Sequence, residues 1–427
     1  MSYSVMSKEA LTDLRNGLWA EYENKKGLGL NFSMARGKPS KDQLDLSMPM
    51  LNIIDENTKM VGEDKFDFRN YGVLSGIKEA KNLFAQILEV KPENIVIYGS
   101  ASLTLMYDTI SRAYIKGILG STPWSKLDKV KFLCPVPGYD RHFTICEFFG
   151  IEMINIPMNE DGPDMDMVEK LVSEDSAVKG IWCVPKYSNP SGYVYSDEVV
   201  KRFASLKPAA DDFRIYWDNA YIIHHLYRDK QATILNIVEE CAKAGNPDMV
   251  YEFCSTSKVT FPGAGISAMA ASEANIKETV SMMNAQIISH DKMNQLRHVL
   301  FFPDMEALNE HMMKHADIMR PKFEAVCDML EKELGDLNIA TWTKPIGGYF
   351  IGFDAMKGCA KKIVSMCKDA GVVMTDAGAT YPYGNDPDDS NIRIAPSFPT
   401  IDELNEACKV FILCVKIASI DKILETK

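Results

Sequence analysis

The stretch YEFCSTSKVTFPGAGI, residues 251–266, places a lysine directly after a predicted buried strand. The apolar residues before it are typical of a strand covered on both faces, and Lys258 follows a hydroxylated run at 255–257. Lysine is strongly hydrated and is rarely buried without a partner. A lysine held at a strand end beside hydroxyl groups is therefore a candidate Schiff-base nucleophile. A Ser-x-x-Lys motif alone is more typical of an ordinary loop lysine, so the remaining sequence has to decide.

The composition favours a soluble protein of more than one domain. The chain has 427 residues, 46% of them apolar and 25% charged, which predicts two or three domains with cores of ordinary composition. Its net charge of −12 argues against a nucleic-acid-binding surface, because such a surface needs clustered Lys and Arg.

The cysteines and the two ends of the chain point to a reducing, cytoplasmic compartment. Ten cysteines occur without a C-x-x-C pair, so no metal site and no thioredoxin-like motif is expected. Many lie in apolar runs, where buried free thiols are the rule. Residues 1–14 contain no apolar run long enough for a signal peptide. The apolar run 410–420 is too short to span a bilayer and contains Lys416, so no membrane partner is expected.

Strands and helices alternate between residues 132 and 229, and YEFCSTSK at 251–258 is the next strand, which predicts a mostly parallel sheet covered on both faces. Ligands bind such sheets beyond the carboxyl ends of the strands. Polar side chains follow several predicted strand ends, namely Ser100, Tyr139, Asn189, Asp218 and Lys258. Each one alone could be a cap or a turn residue, but their joint placement indicates a binding site.

Two short segments are candidate anion sites. At residues 94–106, a predicted strand leads through small residues at 99–102 into a helix, whose first N–H groups could bind an anion or simply receive an N-cap. The segment lacks the P-loop lysine and the G-x-G-x-x-G spacing of nucleotide sites. The ARGKP segment at 35–39 sets Arg36 and Lys38 beside a Gly-Pro bend, which is either an anion site or an ordinary basic turn.

The C-terminal part predicts a second, smaller unit. A long helix over 303–335, interrupted by Pro321, is followed by strands within 339–354 and 391–398, a helix near 358–370 and a last helix over about 401–422. The expected organisation is an N-terminal segment 1–50 packing with the small domain, a large domain 51–302 and a small α+β domain 303–427.

Four spaced motifs resemble the signature series of class I aminotransferases, which are pyridoxal-phosphate (PLP) enzymes of fold type I. They are SNPSG at 188–192, DNAY at 218–221, STSK at 255–258 and NIR at 391–393. Asn189 and Asp218 are 29 residues apart, Asp218 and Lys258 are 40 apart, and Lys258 and Arg393 are 135 apart. ARGKP, PGYDRH and DNAY also resemble a bacterial aspartate aminotransferase branch. The resemblance implies an α/β fold in which a large domain with a mostly parallel seven-stranded sheet between helices is joined to a smaller α+β domain.

The resemblance implies a role for each motif residue. Lys258 would form a Schiff base with PLP and then transfer the substrate's Cα proton as general base and acid. Asp218 would pair with the pyridine nitrogen and keep it protonated. Tyr221 and Asn189 would hydrogen-bond the phenolic oxygen of the cofactor, and Tyr139 would stack on its ring.

The phosphate contacts implied by the resemblance are mostly uncharged. They are Ser100, Ala101 and Ser102 at a helix N-terminus, with Ser255 and Ser257. Tyr71 would reach the phosphate of a neighbouring subunit, which implies a homodimer. Relatives commonly carry an arginine about eight residues after the lysine, whereas residues 263–268 read GAGISA here. Other groups must therefore balance the phosphate charge.

On the substrate side, the resemblance implies that Arg393 binds the α-carboxylate beside Asn189 and that Gly37 lets the backbone close over the substrate. The candidate cations for a distal carboxylate are Arg141 first, Arg36 next, and then Lys38 and Arg297. The expected activity is ping-pong transfer of an amino group from aspartate or glutamate to a 2-keto acid. The alternatives are an aminotransferase for aromatic or kynurenine-type substrates, a PLP-dependent lyase and a non-catalytic regulator on the same fold.

Overall fold

Helices and strands alternate along the chain, and the structure, a computed structural model, describes residues 3–427. The helices are α1 (Lys8–Lys26), α2 (Lys41–Asp45), α3 (Lys78–Ile87), α4 (Ser102–Lys116), α5 (Asp140–Phe148), α6 (Met165–Glu174), α7 (Asp197–Ala204), α8 (Ile237–Lys243), α9 (Glu273–Met283), α10 (Lys292–Phe301), α11 (Met305–Leu334), α12 (Ala360–Asp369) and α13 (Ile401–Thr426). The strands are β1 (Phe32–Ser33), β2 (Ile95–Tyr98), β3 (Lys131–Val136), β4 (Glu152–Asn159), β5 (Gly162–Pro163), β6 (Val178–Cys183), β7 (Arg214–Asp218), β8 (Val250–Ser255), β9 (Ser267–Ala270), β10 (Ala340–Trp342), β11 (Ile351–Ala355), β12 (Val372–Val373) and β13 (Asn391–Ile394).

The large sheet has the strand order β2-β9-β8-β7-β6-β3-β4-β5. Strands β8, β7, β6, β3 and β4 pair in parallel, whereas β9 runs antiparallel to both of its neighbours. Every residue of β6 and β7 is buried, as expected for strands covered by helices on both faces. The predicted α/β fold is confirmed, and the two-residue strand β5 extends the seven expected strands at one edge.

The second sheet is small and antiparallel, with the order β10-β11-β13. Helix α13 packs against α1, α11 and α12, because its almost unbroken apolar sequence from Val410 to Ile420 provides a core-facing surface on most sides. The N-terminal segment joins this unit through α1 and through β1, which pairs in parallel with β12. The first two residues of the predicted 1–50 segment lie outside the described residues, and the domain limits stay predictions.

Helix α11 continues through Pro321, so the predicted interruption is wrong. A proline inside a helix removes one N–H donor and clashes with the preceding turn, at a cost of roughly 3 kcal/mol. Here Met319 and Phe323, on either side of the proline, are buried in the core of the small unit. Their packing offsets the local cost, and the helix therefore runs without a break from Met305 to Leu334, within the predicted segment 303–335.

The parallel strands bring their carboxyl ends to one edge of the large sheet. Strand β7 ends at Asp218, which is paired in register with Phe253 of β8. The segment that leads from β8 to Lys258 therefore lies beside Asp218. Within residues 3–427, no helix is both long enough and apolar enough to cross a membrane.

Candidate active site

A cavity of about 190 Å³ opens at the carboxyl edge of the large sheet. Nine of the predicted site residues line it, namely Ala101, Ser102, Tyr139, Asn189, Asp218, Tyr221, Ser255, Ser257 and Lys258. The other lining residues are apolar, namely Leu103, Met106, Val184 and Ala220, and the sequence analysis did not identify them. The structure thus brings together side chains from loops that are far apart in the chain, as the strand-end pattern predicts.

Lys258 presents its amine to this cavity beside two aromatic rings. Its Nζ lies 5.0 Å from the ring centroid of Tyr221 and 5.8 Å from that of Tyr349. Burial lowers the pKa of Lys258, the nearby Asp218 carboxylate acts in the opposite direction, and Arg393 lowers the pKa further. A lysine with a lowered pKa is neutral more of the time, and the neutral amine is the nucleophilic form.

Asp218 has one satisfied and one unsatisfied carboxylate oxygen. Its Oδ2 lies 3.0 Å from Nε2 of His142, whereas Oδ1 is buried and has no hydrogen-bond partner among residues 3–427. Leaving a buried acceptor unpaired costs about 1–3 kcal/mol, and more for a charged group. Because Asp218 lines the cavity, a donor on a bound ligand is the natural partner for this oxygen.

His142 is the polar partner that the sequence analysis did not identify. It lies in α5 just beyond Tyr139, and its ring stacks on Trp182 with a centroid distance of 4.4 Å and an interplanar angle of 9°. This stack fixes the ring plane, so the imidazole is held in place against Asp218. The available signal was the PGYDRH segment, which ends on this histidine.

Arg393, on β13, connects the small sheet to the cavity. It is 6% exposed, and its Nη1 donates to Asp140 at 3.0 Å and to Asn189 at 3.2 Å. Its Nε is buried without a partner among residues 3–427, so a donor remains for an anion. The guanidinium carbon lies 4.8 Å from the ring centroid of Phe350. Gly37 approaches the same ring so closely that a Cβ there would lie 2.5 Å from a ring carbon.

The N-terminus of α4 borders the same cavity as Asp218. Its cap is Ala101, and the Ser257 hydroxyl donates to the carbonyl of Ser100 at 2.8 Å. The Ser255 hydroxyl in turn donates to Ser257 at 3.2 Å. Position 266, eight residues after Lys258, is a buried isoleucine. Among the cavity-lining residues that the structure describes, the sole cationic side chain is Lys258.

The remaining predicted residues lie outside this cavity. Tyr71 is 77% exposed and borders a separate cleft of about 470 Å³. Arg36, Lys38 and Arg141 are exposed, and Arg297 on α10 is half-buried. In the part of the chain that the structure describes, no cluster of three or more His, Cys, Asp or Glu could hold a metal ion.

Known proteins are similar to this chain in both sequence and fold. The family model described as aspartate amino-transferase matches residues 6–427. An aspartate aminotransferase of Corynebacterium glutamicum is 42% identical over 98% of both chains, and a putative aminotransferase of Mycolicibacterium smegmatis is 42% identical over the full length of both. The crystal structure of an aspartate transaminase from C. glutamicum superposes with a TM-score of 0.96, at 40% identity over 99% of both chains. The chain therefore belongs to the aspartate aminotransferase family and is a transaminase.

Proposed function

We propose that this transaminase binds PLP and moves the amino group of aspartate or glutamate to a 2-keto acid in a ping-pong cycle. The observation that carries the proposal is the unpaired, buried Oδ1 of Asp218 in the same cavity as the Lys258 amine. The family as a whole implies PLP, and the relative named aspartate aminotransferase supports a dicarboxylic substrate.

The residues around the cavity fit this cofactor. Asp218 Oδ1 would accept a hydrogen bond from a protonated pyridine nitrogen, and its charge would keep that proton in place. The Tyr139 ring would cover one face of the cofactor, and Tyr221 and Asn189 would donate to its phenolic oxygen. When bound, PLP supplies an electron sink for the negative charge left on the substrate Cα.

The phosphate would lie at the N-terminus of α4, near Ser100, Ala101 and Ser102, with the hydroxyls of Ser255 and Ser257. The first N–H groups of a helix lack partners within the helix and carry partial positive charge, which suits an anion. Tyr71 of a second subunit would add a hydroxyl donor in a homodimer. Its 77% exposure in the single chain leaves it free for such a contact.

Two groups of this chain would act directly on the substrate. Arg393 would hold the α-carboxylate through its planar fork, with Asn189 fixing the guanidinium, and Gly37 would allow the loop to approach. The Lys258 amine would take the proton from Cα and return it as acid later in the cycle. The lowered pKa of Lys258 favours the neutral amine that the first of these steps requires.

A panel of amino acids tests the reaction class. With 2-oxoglutarate present, aspartate and glutamate are expected to be turned over far faster than tryptophan or kynurenine, and only when a keto acid is supplied. Release of ammonia without a keto acid would indicate a lyase, and a preference for kynurenine would indicate the aromatic class. No turnover of any amino acid would favour a regulator on this fold.

Arg141→Ala is expected to separate dicarboxylic from simple substrates. Arg141 lies on α5 two residues after the cavity-lining Tyr139, and a charged hydrogen bond contributes about 1.5–3 kcal/mol. We expect kcat/KM for aspartate to fall about 10- to 100-fold while that for alanine stays within about threefold. Arg36→Ala is made for comparison with Arg141→Ala, because Arg36 is the next candidate cation and is also exposed. An equal loss on both substrates would move the distal-carboxylate role to Arg36, Lys38 or Arg297.

A further inference from the structure

Tyr349 lies close to both the main-chain carbonyl and the side-chain amine of Lys258. Its hydroxyl donates a long hydrogen bond of 3.5 Å to the Lys258 carbonyl oxygen, and its ring centroid lies 5.8 Å from Nζ. The tyrosine is fully buried and stacks on Tyr221 with a centroid distance of 6.1 Å. It precedes β11 and belongs to the small-sheet part of the chain, whereas Lys258 follows a strand of the large sheet.

The approach of Tyr349 depends on the two glycines before it. A Cβ on Gly347 would lie 2.3 Å from ring atoms of Tyr187, and Gly348 has a φ of +81°. Both positions therefore exclude ordinary side chains, one through contact and the other through backbone conformation. The Gly-Gly-Tyr sequence thus lets the chain pass closely over Tyr187 and direct Tyr349 toward Lys258.

Gln43, on α2, fixes the direction of the Tyr349 hydroxyl. Its Oε1 accepts from the Ser40 backbone N–H at 3.0 Å, and because that group can only donate, the amide orientation is determined. Its Nε2 therefore faces the opposite way and donates to the Tyr349 oxygen at 3.1 Å. With that oxygen acting as acceptor, the tyrosine O–H is left to donate to the Lys258 carbonyl. Gln43 is fully buried, so these bonds are shielded from water.

A second branch from Gln43 reaches the residue after the lysine. Gln43 Nε2 lies 3.2 Å from Nδ1 of His315, whose Nε2 lies 3.1 Å from Nε2 of His311. That atom lies 2.8 Å from the Val259 carbonyl oxygen. Burial lowers the pKa of His315 to about 3 and also lowers that of His311, so both rings are neutral at physiological pH. A neutral His311 Nε2 can either donate to the Val259 carbonyl or accept from His315, but it cannot do both. The second branch is therefore a chain of close polar contacts between Gln43 and the Val259 carbonyl, not one continuous run of hydrogen bonds.

We propose that Gln43 and Tyr349 are positioning residues that hold Lys258 so that its amine stays in the cavity against the Tyr221 ring. The inference rests on the proposed function, because it assumes that the Lys258 amine captures the cofactor and moves the proton. Three parts of the chain meet at this lysine, namely α2, the segment before β11 and the loop after β8. A positioning role for Gln43 and Tyr349 explains why they meet there.

By holding Lys258 in place, the hydroxyl of Tyr349 is expected to affect the pKa of the lysine amine. The titratable or charged groups that face the amine are Asp218, Tyr139, Tyr221, His224, Tyr349 and Arg393. Burial is the main cause of the lowered pKa of Lys258. When the contact to the Lys258 carbonyl is lost, we expect the side chain to shift toward water, so the pKa of its amine should rise toward the ordinary lysine value of about 10.4.

Tyr349→Phe tests the proposal, because it keeps the buried ring and removes only the hydroxyl. The matched control is Tyr22→Phe, since Tyr22 is 2% exposed and its hydroxyl donates to the Met366 carbonyl at 3.0 Å, remote from the cavity. The measurement is the rate at which apo-protein captures pyridoxal phosphate, followed over pH by borohydride trapping. We expect Tyr349→Phe to slow capture about tenfold, less than the ~10²-fold that a 1 Å misplacement can cost. The pH at which the capture rate of Tyr349→Phe is half-maximal should rise, whereas the Tyr22→Phe control should match wild type.

Gln43→Met supplies the second variant. It is expected to change capture in the same direction. The double variant with Tyr349→Phe should be less slow than the product of the two single effects, because both substitutions act on the same Tyr349 hydroxyl. A Tyr349→Phe protein with the wild-type rate and pH midpoint would overturn the positioning role while leaving the proposed function intact. A wild-type protein that captures no cofactor would overturn the proposed function, and the inference with it.

Discussion

Replacing Lys258 with alanine is expected to abolish covalent capture of pyridoxal phosphate and to lower transaminase turnover about 10⁴-fold, the upper end of what a positioned acid–base group contributes. The amine lies in the cavity beside Asp218 and Tyr221, and no second lysine lines that cavity among the described residues. No second lysine amine can therefore take over the proton transfer. The measurement is turnover of aspartate with 2-oxoglutarate, together with the mass of the protein after borohydride reduction.

Lys186→Ala is the matched control for this variant. Lys186 is also buried, at 7% exposure, and burial lowers its pKa to about 8, but it does not line the cavity. We expect this variant to retain both the reduced cofactor adduct and most of its activity. Near-wild-type turnover in Lys258→Ala would contradict the assignment of the proton-transfer role to Lys258.

Asp218→Asn is expected to slow removal of the substrate Cα proton on the order of 10²- to 10³-fold, the range seen when one preorganised stabilising group is lost. Asparagine keeps the shape of the side chain and an oxygen that can accept from His142, so the contact at 3.0 Å can persist. It removes the negative charge that would hold a proton on the ring nitrogen of the cofactor. The cofactor should also dissociate more readily, because an amide NH2, which cannot accept a hydrogen bond, takes the place of the unpaired Oδ1.

The loss of a Cα deuteron from labelled aspartate to solvent measures this step directly. Asp212→Asn is the control, because Asp212 is also buried, at 4% exposure, and pairs with Lys179 at 2.6 Å away from the cavity. Breaking that buried pair should lower the free energy of unfolding while leaving the exchange rate of the folded protein unchanged. An unchanged exchange rate in Asp218→Asn would refute its role.

The sequence was sufficient to predict most of the cavity, for a physical reason. Parallel strands end at one edge of a sheet, so polar residues that follow several strand ends must meet there. Ser102, Asn189 and Lys258 follow three different strands, Asp218 ends a fourth, and all four residues line the same cavity. Their meeting could be predicted from the local sequences, because the sheet topology follows from the alternation of strands and helices.

Contacts between segments that are far apart in the chain leave no comparable pattern in the sequence. Gln43 and Tyr349 are 306 positions apart, and neither residue type at its position indicates a shared hydrogen bond. His142 becomes significant only when β3 and β7 are placed in one sheet beside Trp182. The continuity of α11 through Pro321 likewise depends on core packing, which a local rule for proline does not include.

Borohydride reduction of the protein with pyridoxal phosphate, followed by peptide mapping, shows directly whether Lys258 holds the cofactor. We expect a single pyridoxyl-lysine at Lys258, and we expect aspartate added before the borohydride to prevent this label by taking the cofactor off the lysine. Absence of the label at position 258, or a label on another buried lysine such as Lys186, would contradict this expectation.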